Sequence, residues 1–109
     1  MKPLIWLGDS RTVVRRFSDE ARQEAGHELN RVQNGKQPID FKPMPGIGLG
    51  VHEIRVHAEK EYRVIYVAKF AEAVYVLHAF MKKTRQTSKQ DVNLAAVRYR
   101  ALLNERKIR

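Results

Sequence analysis

Apolar and polar positions alternate along the 109-residue chain with a period that changes from segment to segment. Residues 4–7, Leu-Ile-Trp-Leu, are a short apolar run that predicts a strand closed by Gly8. Asp9 or Ser10 can cap a first helix over residues 12–17, and Ser18 followed by Asp19 and Glu20 starts a second. In that second helix Phe17, Ala21, Ala25, Leu29 and Val32 recur every three or four residues as one apolar stripe. Arg22, Glu24, Glu28 and Arg31 fall on the other face, and Asn34-Gly35 supplies the stop. Residues 36–50 hold Pro38, Pro43, Pro45, Gly46, Gly48 and Gly50 and predict a loop with turns. Three apolar segments follow, residues 51–57, 62–70 and 74–81, joined by connectors short enough to require an antiparallel meander. The third is apolar on both faces, as an interior strand would be. A last helix begins near Ser88, with Asp91 three residues on as a capping box. Its Val92, Ala95, Ala96, Tyr99, Leu102 and Leu103 lie within about 120° of arc, a stripe able to pack on the sheet. The order strand, helix, helix, three strands, helix reads as one α+β domain over residues 1–109.

Composition narrows the classes. With 43% hydrophobic residues the chain can build a core, which argues against a disordered basic tail. It has no cysteine, which excludes disulfides and thiolate chemistry. No apolar run approaches the roughly 20 residues that cross a bilayer, and residues 1–7 are too short for a secretory core, so the expectation is a cytoplasmic protein without a membrane partner. The net charge of +9 is uneven: residues 1–81 hold 12 basic and 10 acidic side chains, residues 82–109 hold 9 and 2. A basic end on a nearly balanced body points to an anionic partner, nucleic acid first, although basic termini also serve solubility alone.

The chemistry lies in the meander. If the turn at residues 58–61 closes so that His57 faces Glu61, Arg55 lies opposite Arg63 on one sheet face, and Ile54, Val56, Tyr62, Val64 and Tyr66 share the other. Two opposed guanidiniums destabilise a strand pair unless something neutralises them. Either an anion such as a phosphate completes the site, or Glu53 and Glu61 do so on an ordinary solvated face. Lys82, Lys83 and Arg85 after the last strand, with Phe80 just before them, would add cations and a ring suited to phosphate contact and base stacking. The four histidines are scattered and offer no metal-ligand spacing, so neither metal nor cofactor is expected.

The runs Gly48-x-Gly50-x-x-Glu53-x-Arg55, Glu61-Tyr62-Arg63 and Phe80-x-Lys82-Lys83-Thr84, with Thr87 and a helix carrying Ala95 and Arg98, resemble the phage-derived HigB-like branch of the RelE/ParE toxin superfamily. The resemblance implies a RelE-like fold, an antiparallel sheet with two N-terminal helices packed on it and a C-terminal helix. It implies the toxin of a type II toxin-antitoxin pair: an endoribonuclease that cuts mRNA on the ribosome without a metal, by attack of a ribose 2′-hydroxyl on the adjacent phosphate. The partners would be that mRNA and a small helix-turn-helix antitoxin, with operator DNA met only through the antitoxin. Arg63 matches the arginine on the scissile phosphate, Arg55 a basic strand position of the same site, and Lys82 or Lys83 a basic residue after the last strand. Tyr62, Phe80 and Arg85 are the accompanying RNA-binding candidates.

RelE-like enzymes carry a functional tyrosine near the C-terminus, but here Tyr99 lies on the apolar stripe, so His57 on the arginine face is the candidate proton carrier. His78 reads as a satisfied core histidine, and His52 and His27 as structural. Two other classes stay open on these residues: a ParE-like inhibitor that binds DNA gyrase without cleaving, and a basic nucleic-acid-binding module. On the last helix Leu94, Val97 and Ala101 face away from the packed stripe, an apolar patch between Arg98 and Arg100 that an antitoxin could cover.

Overall fold

A computed structural model describes residues 1–108. Its elements are β1 (Leu4–Trp6), α1 (Ser10–Arg15), α2 (Asp19–Gln33), β2 (Phe41–Pro43), β3 (Val51–His57), β4 (Glu61–Val67), β5 (Val74–Met81) and α3 (Lys89–Ile108). The strands form one five-stranded sheet in the order β1-β5-β4-β3-β2. This mixed α+β arrangement departs from the expectation at its two edges. β1 runs parallel to β5, with Leu4 beside Val74 and Trp6 beside Val76, so the sheet is not wholly antiparallel. Short connectors fix direction only within β3–β5; a three-residue strand whose partner lies far along the chain carries no such signal. At the other edge β2 forms inside the stretch read as a loop, pairing Phe41 with Ile54 and Pro43 with His52. Proline survives there because an edge strand has one unpaired side.

The meander itself has the expected register. Arg55 pairs with Arg63 and His57 with Glu61. β5 is the interior strand anticipated, flanked by β1 and β4. Its alternation breaks once: Ile65 pairs with His78 but Tyr66 with Val76, so Leu77 is an extra residue in a bulge and neighbours His78 on the same face.

One face is closed by α1 and α2. Ser18 caps α2 through its Oγ, which accepts from the Ala21 amide at 3.2 Å, and Phe17, Ala21, Ala25, Leu29 and Val32 bury the expected stripe against Ile54, Val56, Tyr62, Val64 and Tyr66. Glu28 departs from its predicted exposed position. It is 3% exposed, and its carboxylate accepts the Ile39 amide at 2.7 Å, tying the segment before β2 to the helix.

The opposite face is covered by α3. Ser88 and Asp91 form the capping box, Asp91 N–H to Ser88 Oγ at 3.1 Å and Ser88 Oγ to Asp91 Oδ2 at 2.6 Å. Ala95, Tyr99 and Leu102 then pack on Val51, Ile65, Val67, Tyr75 and Leu77. Two close approaches seat the helix. The Tyr99 ring lies where a Cβ on Gly48 would stand 2.1 Å away, and its hydroxyl donates to the Leu49 carbonyl at 3.3 Å. The Arg98 guanidinium lies where a Cβ on Gly8, at φ +55°, would stand 2.4 Å away. Arg98 donates to the Leu77 carbonyl at 3.0 Å and to Asp9 at 2.8 Å, which holds the Asp9 carboxyl below its ordinary value. Arg98 therefore latches α3 to the α1 entry and does not flank an exposed patch. Among the described residues no helix is long and apolar enough to cross a membrane.

Candidate functional site

α3 leaves one end of its sheet face uncovered. Along β3 that face carries Val51, Glu53, Arg55 and His57, and along β4 Glu61, Arg63, Ile65 and Val67, so it passes from apolar under the helix to charged beyond it. At the charged end a cleft of about 370 Å³ is bordered by Lys42, Arg55, Lys82 and Arg85, with Glu53 the carboxylate among them and Thr87 and Val92 on the far wall. Three parts of the chain meet there. β2 brings Lys42, β3 brings Arg55 and Glu53, and the segment between β5 and α3 brings Lys82, Arg85 and Thr87.

A chain of alternating charges runs from the cleft along β3 and β4. Arg55 lies 3.9 Å from Asp40, Asp40 2.6 Å from His57 Nε2, and His57 Nδ1 2.7 Å from Glu61. Glu61 then meets Arg63 at 3.2 Å, Arg63 Nε is 3.7 Å from Glu53, and Thr87 donates to Glu53 at 2.8 Å. Like charges opposed across β3 and β4 are thus kept apart by carboxylates, the second of the two readings above. The hydrogen bond to Asp40, then that to Glu61, raises the His57 pKa above its ordinary value. The same contact with His57 lowers Glu61.

The two arginines differ. Arg63 is 4% exposed, also donates to the Tyr62 carbonyl at 2.9 Å, and sits behind Glu53 and Glu61 outside the cleft lining. The Arg55 side chain is 36% exposed and borders the cleft; its buried Nε, like that of Arg63, has no hydrogen-bond partner. A buried guanidinium N–H without an acceptor, beside three further cations, is a donor set for an anion.

The other predicted residues divide. Lys82 and Arg85 reach the cleft, Lys83 borders a neighbouring cavity, and His57 lies outside the cleft lining, two positions along β3 from Arg55 on the same face. Tyr62 does not join them. It lies on the α2 face, 5% exposed, with its ring 4.6 Å from Phe17 and its hydroxyl on Glu59. The alternation of β4 already turns Tyr62 away from Arg63, so no base can stack on it from this site. Phe80 is 8% exposed, with its ring stacked on His78 at 5.4 Å. His78 is the satisfied core histidine expected: Arg98 Nη1 lies 3.3 Å from its Nδ1 and Asp91 2.7 Å from its Nε2. His52, its pKa lowered by burial, packs on Phe41 and Tyr66. His27 is exposed on α2.

Asp40 and Lys42 were missed by sequence reasoning. Asp40 is placed by the Arg55 amide, which donates to its carbonyl at 2.9 Å at the start of β2. Its signal was present only as a carboxylate two residues before Lys42 in a stretch read as irregular.

A mixed five-stranded sheet with helices on both faces and a cationic cleft beside one of them defines a small α+β protein with a candidate anion site. Residues 13–100 match the phage-derived Gp49-like family, and the chain belongs to it. That family is one of RelE/HigB-type toxins associated with toxin-antitoxin pairs, and an antitoxin is accordingly a partner of this chain's class. No curated protein matches the chain.

Proposed function

We propose that this protein is the toxin of a type II pair and cuts mRNA on the ribosome in the cytoplasm, through attack of a ribose 2′-hydroxyl on the adjacent phosphate within a RelE-like fold. The observation that carries the reading is the cleft in which Lys42, Arg55, Lys82 and Arg85 surround one buried carboxylate. Those cations hold the scissile phosphate and stabilise the extra charge of the phosphorane. His57, whose pKa Asp40 and Glu61 raise, gives its proton to the departing 5′-oxygen. Arg63 acts behind this layer, fixing Glu53 and Glu61 and through them Thr87 and His57. The antitoxin covers the outer side of α3, where Leu94 at 37% and Val97 at 59% exposure stand with Ala101.

Single-turnover cleavage on translating ribosomes tests the reading. Arg55→Ala and Lys82→Ala should each slow cleavage roughly a hundredfold to a thousandfold while thermal midpoints hold. Growth arrest with intact mRNA would replace it with a gyrase-binding inhibitor, and unchanged cleavage in both variants would move the phosphate elsewhere. Val97→Glu should weaken antitoxin binding by calorimetry and leave cleavage unchanged.

A further inference from the structure

The end of α2 borders a second cationic recess, on the sheet face away from the cleft. Gly35, at φ +80°, and Lys36 close the helix as a Schellman motif: the Gly35 amide donates to the Val32 carbonyl at 3.0 Å, the Lys36 amide to that of Arg31 at 2.9 Å. The Asn34 and Lys2 amides take the Asn30 and Gln33 carbonyls at 3.1 and 3.0 Å, so none of the last four carbonyls is left to repel an anion. Beside this end lies a cavity of about 280 Å³, whose other wall is formed by Gly50, His52, Tyr66 and Ala68 at the strand ends. It shares no lining residue with the cleft. Three lysines border it and no carboxylate does. Lys2 uses one of its three N–H donors on the Ala68 carbonyl at 2.6 Å. Lys36 is exposed and, among the described residues, has no ion-pair partner. Lys69 lays its stem beside Gly50 and its ammonium 5.3 Å from the Phe70 ring, a contact that does not cancel its charge. His52 adds a neutral donor. The Tyr66 phenol, pushed up to about 12 by burial, keeps its proton and donates to His52 Nδ1 at 3.3 Å, which places the ring's own proton on Nε2.

We propose that this cavity binds the phosphate group of a small phosphate monoester. The inference does not depend on the function proposed for the cleft. Ammonium groups gathered without a carboxylate make a local positive potential, and an anion of more than one charge offsets it best. A monoester carries nearly two charges at neutral pH and three strong acceptor oxygens, against the single charge of a carboxylate or of a phosphodiester link. The lysines supply the charge, and the His52 Nε2–H supplies a directed bond. Val32, Ala68 and the Tyr66 ring give the ester's carbon skeleton an apolar wall. A phosphate held there ties the end of α2 to the strand ends facing it.

NMR titration of the full chain with inorganic phosphate, at near-neutral pH and constant ionic strength, tests this. The His52 imidazole and the Gly35 and Gly50 amide signals should shift saturably, and ribose 5-phosphate should bind at least as tightly as inorganic phosphate. Lys36→Gln, an exposed change beyond the helix end, should weaken the affinity read at those signals about tenfold, the cost of one charge-assisted hydrogen bond. The response of Lys42 and Arg55 in the cleft should be the same in the variant as in wild type, so a failure at one site is separable from a failure at the other. Signals of His52 and the two glycines that stay unmoved overturn the proposal, as does an unchanged affinity in Lys36→Gln. Acetate that moves them as effectively as phosphate reduces the cavity to a general cationic surface and also overturns it. An oligoribonucleotide without terminal phosphates that moves them at lower concentration than ribose 5-phosphate assigns the cavity to the RNA chain, and the monoester reading fails.

Discussion

The two faces of the sheet are covered to different extents, and the site is the difference between them. On one, α1 and α2 close over Ile54, Val56, Tyr62, Val64 and Tyr66 along the whole meander, and the buried polar groups there serve packing: Glu28 anchors the Ile39 amide, and burial pushes the Tyr66 phenol up to about 12. On the other, one helix seated by Tyr99 over Gly48 and Arg98 over Gly8 covers only the apolar end. The charged remainder cannot be buried without partners, so it neutralises itself through Asp40, Glu61 and Glu53 and leaves its outermost cations to the cleft. A functional surface on such a sheet is made by stopping a helix short.

The largest test of that contrast compares the paired arginines. Arg63→Ala leaves Glu53, 2% exposed, without its cation, and should cost about 3–5 kcal/mol, a large share of the stability of a domain this size. Arg55→Ala on the open side should cost under about 1 kcal/mol while slowing cleavage roughly a hundredfold to a thousandfold. Denaturant midpoints compare the two; equal losses would mean that both arginines are structural. Next in size is Gly48→Ala, which places a methyl 2.1 Å from the Tyr99 ring and should cost about 1–3 kcal/mol as α3 shifts. Amide exchange should then show weakened protection in α3 with α2 unchanged.

On the fully covered face Ser18→Ala removes the α2 cap, and a loss of about 1 kcal/mol is expected. Single-turnover cleavage should be unaffected, and a slowed reaction would show that the two faces are coupled. The smallest effect concerns pH. The folded-state pKa of His57 is raised above 6.5, so its clamp contributes fully below that value and is lost as pH rises through the raised pKa. Because the ring is half-exposed, the contribution is at most about 1 kcal/mol. Thermal midpoints of wild type and His57→Gln should therefore differ near pH 6 and converge in alkaline buffer.

The covered face was the easier to read. Its helix stripe and the alternation of β3 and β4 are period signals, and the hydrophobic pattern admits one register, so Arg55 beside Arg63 followed from the sequence. The open face was legible as a set of charges but not as a geometry. Which carboxylate meets which cation depends on β2, whose three residues are hidden among prolines, and on the bulge at Leu77 that turns His78 toward α3. Hence Lys82 and Arg85 were placed correctly near Arg55, whereas Asp40 went unseen and Arg63 was expected at the surface. Tyr62 failed for a plainer reason: its neighbour's chemistry was extended to a side chain that alternation points the other way.

The parallel pairing of β1 with β5 also bears on how the chain acquires its shape. Leu4 meets Val74, and Asp9 meets Arg98 across a sequence separation of 89 residues. Contacts this distant in the chain must wait for loop closure over most of its length, while the meander forms from neighbours. During synthesis, β3 and β4 can pair as soon as they emerge. The first strand has no edge to join until β5 is made, and its latch does not exist until α3 follows. β1, synthesised before the meander, is thus among the last parts to be built in.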